Sequence, residues 1–114
     1  MLAIVGGAAV TMPVLALAHT ALRTSEPNTG VTVAAPSRLV LRFGDPVDAR
    51  GAWVLLTGPQ DTKIGLARPT LQESATLIYS LLPLKRGPWE VWWSVESPDG
   101  HRVEGVLSFT VVGL

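Results

Sequence analysis

The stretch P-W-E-V-W-W-S-V-E, residues Pro88 to Glu96, limits the fold more than any other part of the chain. Trp89, Val91, Trp93 and Val95 share one parity, while Glu90, Trp92, Ser94 and Glu96 share the other. Side chains alternate across an extended strand, so this run has one apolar face to bury and one face for water. Arg102 to Val112 repeats the pattern, with Val103, Leu107, Phe109 and Val111 aligned and Gly105 in the same register. Ser37 to Phe43 does so again through Leu39, Leu41 and Phe43. Trp89 and Trp93 are therefore expected in the core, and Trp92, on the opposite parity, at least partly exposed.

Shorter strand candidates are Ala21–Ser25, Ala52–Thr57, Lys63–Ala67 and Ala75–Leu81. Turn chemistry separates them at Pro27-Asn28, Gly44-Asp45-Pro46, Gly58-Pro59, Arg68-Pro69 and Arg86-Gly87-Pro88. No convincing amphipathic helix interrupts the series. About seven short strands with turn signals every 8–12 residues predict an all-β, immunoglobulin-like Greek-key sandwich or barrel.

The chain has 114 residues, room for one domain, and nine basic side chains balance nine acidic ones. Such a neutral chain lacks the basic footprint of a nucleic-acid binder. Cysteine is absent, which removes disulfides, thiolate metal sites and a cysteine nucleophile.

Residues 1–18 carry no charge and end in Ala16-Leu17-Ala18, the small-x-small pattern at which signal peptides are cut. A membrane anchor is the competing reading, since about 20 apolar residues span a bilayer. Met12-Pro13, the Gly6-Gly7 pair and the cleavage pattern favour export. The expected division is a signal peptide over residues 1–18 and a mature domain over residues 19–114, placing the product in the periplasm or outside the cell. Cleavage after Ala18 would make His19 the first residue of the mature protein.

The only other histidine, His101, follows the turn sequence Ser97-Pro98-Asp99-Gly100. A tight reversal joining two strands accounts for Pro-Asp-Gly without any function. Residues i and i+2 of an extended segment nevertheless project to one side, so Asp99 and His101 can converge on one point. At a free N-terminus, His19 would add its α-amine and its imidazole Nδ1, closing a chelate ring. Three nitrogens and one carboxylate oxygen suit a tetragonal Cu(II) site. Zn(II) could take the same atoms tetrahedrally.

The opening H-T-A-L-R-T-S-E-P, the later A-P, and the closing V-W-W-S-V-E-S-P-D-G-H-R-V-E-G-V-L-S-F-T-V together resemble the CopC-type periplasmic copper-binding proteins of bacteria. The likeness covers essentially the whole mature chain. It implies a Greek-key β-sandwich or barrel that binds Cu(II) through the N-terminal His and an Asp-x-His segment, here His19, Asp99 and His101. By the same resemblance Asp45, in F-G-D-P, would hydrogen-bond a ligand and orient it. An Asp before Pro that starts a turn explains Asp45 equally well.

Relatives often carry a Met-rich loop for Cu(I). Here the only methionines are Met1 and Met12, within the expected signal, and Thr57–Thr70 holds Gly, Pro, Asp, Lys and Arg. A single Cu(II) site without soft ligands is therefore expected. Nor is fusion to a membrane segment expected after Leu114. The reading is a non-catalytic copper carrier or buffer in copper resistance or homeostasis. Its product would be a soluble monomer, working with an inner-membrane copper transport protein and not with nucleic acid. The alternatives are an immunoglobulin-like interaction module without metal, and a histidine-brace copper oxidase.

Overall fold

The computed structural model describes residues 22–113. Nine strands lie among them: β1 (Leu22–Glu26), β2 (Thr32–Ala34), β3 (Arg38–Phe43), β4 (Asp48–Gly58), β5 (Thr62–Leu66), β6 (Thr70–Gln72), β7 (Thr76–Ser80), β8 (Gly87–Glu96) and β9 (Arg102–Val112). A single 3-10 turn, Pro59–Asp61, joins β4 to β5. The strands form a four-stranded sheet, β1-β3-β7-β6, and a five-stranded sheet, β2-β9-β8-β4-β5. Every pairing is antiparallel except β2 with β9. The expected β-sandwich is the observed fold.

Two more strands are present than the periodicity indicates. β2 and β6 are three residues long, too short to show a period. Their order comes from neighbours: Thr32 to Ala34 runs beside Thr110 to Val112, and Thr70 to Gln72 pairs with Ile78 to Thr76. β4 also begins earlier than Ala52, at Asp48, with an irregular register between Asp48 and Trp53.

The core lies where the apolar parities of the two sheets meet. Leu39, Leu41 and Phe43 of one sheet face Val54, Leu56, Trp89, Val91, Trp93, Leu107 and Phe109 of the other in one buried cluster. Trp89 and Trp93 are buried, whereas Trp92 is 43% exposed on the outer face, as parity requires. Val40 departs from the alternation, being buried on the outer parity of β3. Arg38 and Arg42 lie two residues to either side of it and converge on Glu26 at 3.6 and 3.0 Å. Val40 lies opposite Glu26 in the β1–β3 ladder, so this charged group flanks it on the outer face. Burial pushes the Tyr79 phenol up to about 12; among the described residues its hydroxyl has no hydrogen-bond partner.

Gly105 has a steric role. It pairs with Trp93 across the β8–β9 ladder, and a Cβ there would lie 2.5 Å from the Trp93 indole. Because that indole is packed in the core, it has little room to retreat. Gly105→Ala is expected to destabilise the domain by about 1–3 kcal/mol through overpacking. Urea unfolding checks this, and an unchanged midpoint would mean that the indole moves freely.

Register also brings the start of the described chain and the Asp99–His101 turn to one pole. β3 ends at Phe43, opposite Leu22, where the described chain begins. Residues 44–47 then cross to the second sheet, and Asp48 pairs with Glu96, the last residue of β8. Leu22, the 44–47 crossing and the β8–β9 turn therefore share one end of the sandwich. Phe43 and Trp93 meet edge to face beneath it, with ring centroids 5.3 Å apart and planes at 69°.

Candidate metal centre

The β8–β9 turn is closed by its own backbone. Ser97 N donates to the His101 carbonyl at 2.8 Å, and Gly100 N donates to the Ser97 carbonyl at 2.9 Å. Gly100 occupies the left-handed region at φ 93°, a conformation that glycine adopts without steric cost. The strand beyond the turn is pinned by Arg102, whose guanidinium donates to Ser94 Oγ at 2.6 Å and lies 3.9 Å from Glu96. Ser94 Oγ in turn donates to Glu104 at 3.2 Å. The turn thus projects from a fixed pair of strand ends.

Asp99 and His101 are brought together as their spacing suggests. His101 Nδ1 lies 3.1 Å from Asp99 Oδ1. Two ligands bound to one ion at about 2.0–2.2 Å, with an angle between 90° and the tetrahedral value, stand about 2.8–3.6 Å apart. The observed separation falls inside that window. The separation therefore allows both atoms to bind one metal ion once the proton between them is lost and the imidazole turns toward the ion.

The Ser97 hydroxyl, which the sequence reading did not single out, organises the same turn. It donates to Asp99 Oδ1, accepts from His101 N at 3.2 Å, and lies 3.3 Å from the His101 carbonyl. The hydrogen bond from Ser97 holds the Asp99 carboxyl below the usual carboxylate range, against an opposing desolvation and with help from the His101 ring and backbone. Asp99 is thus an anion throughout the neutral range, ready to face a cation. The only signal for Ser97 in the sequence is a Ser two residues before an Asp, a common turn arrangement.

The pair is open to solvent, with the His101 and Asp99 side chains 82% and 70% exposed. Among the described residues, no group of three His, Cys, Asp or Glu side chains is arranged to hold a metal. Two donors on an exposed turn do not by themselves make a tight metal site. Asp45 lies half-buried on the 44–47 crossing at the same pole, but no hydrogen bond joins it to Asp99 or His101. His19 lies outside the described residues.

Comparison with known proteins adds an independent line. Residues 22–112 match a family model described as "CopC domain". The chain is 35% identical over 113 residues to Protein YobA of Escherichia coli K12, covering 96% of this chain and 90% of that one. The crystal structure of CopC from Methylosinus trichosporium OB3b superposes with a TM-score of 0.75 at 29% identity, covering 84% of this chain and 99% of that one. PcoC from Escherichia coli, described as a methionine-rich copper resistance protein, gives a TM-score of 0.68 at 28% identity, covering 83% of this chain and all of that one (100%).

Proposed function

The chain belongs to the CopC family, and from that membership we propose that it is an exported Cu(II)-binding protein. It carries or buffers copper in copper resistance or homeostasis, in the periplasm or beyond the membrane. One Cu(II) is held by the α-amine and ring of His19 at the processed N-terminus, by the Asp99 carboxylate and by the His101 imidazole. The 3.1 Å approach of His101 Nδ1 to Asp99 Oδ1 carries the proposal.

The position of Leu22 supports it. His19 precedes Leu22 by three residues, a length of chain that reaches at most about 10 Å. Leu22 begins at the pole that holds the Asp99–His101 turn. Asp45, on the crossing at that pole, would accept a hydrogen bond from a ligand N–H and orient it. A carboxylate among the ligands fills a position that an oxidase would keep open for oxygen. The function is therefore carriage without catalysis. The recipient would be an inner-membrane copper transport protein.

The donor set determines how the cargo is released. The amine and imidazole nitrogens must lose protons to bind, with reference pKa values of about 7.7–8.0 and 6.5. Asp99, held below the usual carboxylate range, stays ionised and contributes no titration there. Cu(II) affinity should therefore fall steadily from pH 8 to pH 5. Quenching of tryptophan fluorescence by Cu(II) across that range tests the reading, and a flat affinity would place the metal on other atoms.

Reduction should release copper as well. Beyond Met12 the chain has no sulfur, and nitrogen and carboxylate donors suit Cu(II) better than Cu(I). This distinguishes it from a relative described as methionine-rich. A Cu(I)-specific chelator should strip the reduced protein fully at stoichiometric concentration. Retention of Cu(I) would reveal soft ligands not accounted for.

A further inference from the structure

We propose that Ser97 is the positioning residue of the copper site, its one hydroxyl setting the mutual geometry of both ligands on the turn. The proposal rests on the assignment of Asp99 and His101 as copper ligands. Ser97 Oγ donates to Asp99 Oδ1 and accepts from the backbone N–H of His101 at 3.2 Å. It is thus attached to the side chain of one ligand and to the main chain of the other. Each ligand taken alone is an exposed side chain on a turn, free to sample several rotamers. Anchored through Ser97, the Asp99 carboxylate keeps Oδ1 beside the His101 ring, the separation from which both atoms could bind one ion.

The consequence is preorganisation. An exposed Asp and His would each have to be ordered when the metal binds, at a cost in side-chain entropy. With Oδ1 fixed by Ser97, that ordering precedes the metal. The turn itself does not need the hydroxyl, because Ser97 N to the His101 carbonyl and Gly100 N to the Ser97 carbonyl close it through backbone alone. Removing the hydroxyl should therefore loosen the ligands without opening the turn.

The test compares Ser97→Thr with Ser97→Val, which have nearly the same shape and differ in the hydroxyl, using protein that begins at His19 and Cu(II) as the probe. Apo-protein thermal unfolding of each is measured first, and Ser97→Ala replaces the valine variant if the valine is not accommodated. Loss of the hydroxyl should weaken Cu(II) binding about ten- to a hundredfold, the range in which supports of metal ligands act. It should also change the Cu(II) electron paramagnetic resonance spectrum as the carboxylate loses its fixed orientation. Ser97→Thr should restore both the affinity, to within about threefold, and the spectrum.

Asp99→Asn and His101→Ala separate the possible failures. If they bind weakly while the hydroxyl-free variants bind like the parent with an unchanged spectrum, Ser97 has no positioning role. If all of these variants bind like the parent, the copper site itself is elsewhere and the role of Ser97 falls with it. Equal weakening by Thr and Val, with equal loss of apo stability, would show that Ser97 only supports the fold.

Discussion

A single residue left in front of His19 is expected to weaken Cu(II) binding by two orders of magnitude or more, with apo-protein unfolding unchanged. The extended chain keeps both imidazoles, Asp99 and the entire sandwich. What it loses is the α-amine, converted to an amide whose nitrogen is a poor ligand until deprotonated, together with the chelate ring that amine and imidazole close. A hundredfold loss corresponds to about 3 kcal/mol. His101→Ala should cause a comparable loss by removing a nitrogen from the other side of the site. It too should spare the fold, because the His101 side chain is 82% exposed and the turn is closed by backbone hydrogen bonds. Under this reading signal cleavage completes the metal site as well as releasing the protein. Equal affinity of the cleaved and extended forms would remove the N-terminal ligand from the site.

Trp89→Ala should have the opposite profile, with severe destabilisation and little change in copper affinity once folded. Trp89 is 1% exposed, and its Nε1 donates to the Lys85 carbonyl at 2.9 Å. Its ring lies against Gly58 so closely that a Cβ there would fall 2.5 Å from it. Truncation removes the whole indole from a packed interior and leaves the carbonyl without its partner. Comparable large-to-small substitutions cost about 3–5 kcal/mol, a large part of the roughly 5–15 kcal/mol that holds a domain together. Trp89 pairs with Phe109, at the end of the β8–β9 ladder away from the Glu96–Arg102 turn. The folded fraction should therefore keep its metal pole. Urea unfolding gives the stability and Cu(II) titration under native conditions gives the affinity. A loss below about 1 kcal/mol would contradict the packing described here.

The two profiles reflect how differently fold and site were written into the sequence. β8 and β9 were legible because ten or more residues of alternation separate a core face from a wet one, and the same parity correctly turned Trp92 outward. β2 and β6 were not, since three residues carry no period and owe their extension to β9 and β7. The early start of β4 was hidden by the irregular register between Asp48 and Trp53, which interrupts alternation where Arg50 and Gly51 lie. Trp53, within the expected strand Ala52–Thr57, departs from the expectation that the tryptophans fill the core: it pairs with Ser94, on the same parity as Trp92, and is 46% exposed.

At the site, the i, i+2 spacing of Asp99 and His101 was sufficient to expect their convergence. Ser97 could not be distinguished from an ordinary turn residue, because its role depends on where one hydroxyl points. Asp45 was placed by resemblance, and position at the pole is all that the geometry adds. The link between the two ends of the chain came from register. Leu22 opposite Phe43, and Asp48 opposite Glu96, put the start of the domain and the Asp99–His101 turn at one pole.

The central claim is that one Cu(II) is shared between the processed N-terminus and that turn. Native mass spectrometry of the secreted protein, with and without one equivalent of Cu(II), tests it most directly because one spectrum reports both the N-terminus and the copper count. The expected result is a chain beginning at His19 that binds one copper ion, with the ion lost from His101→Ala under the same conditions. A chain that takes up no copper, or a His101→Ala variant that retains it fully, would contradict the claim.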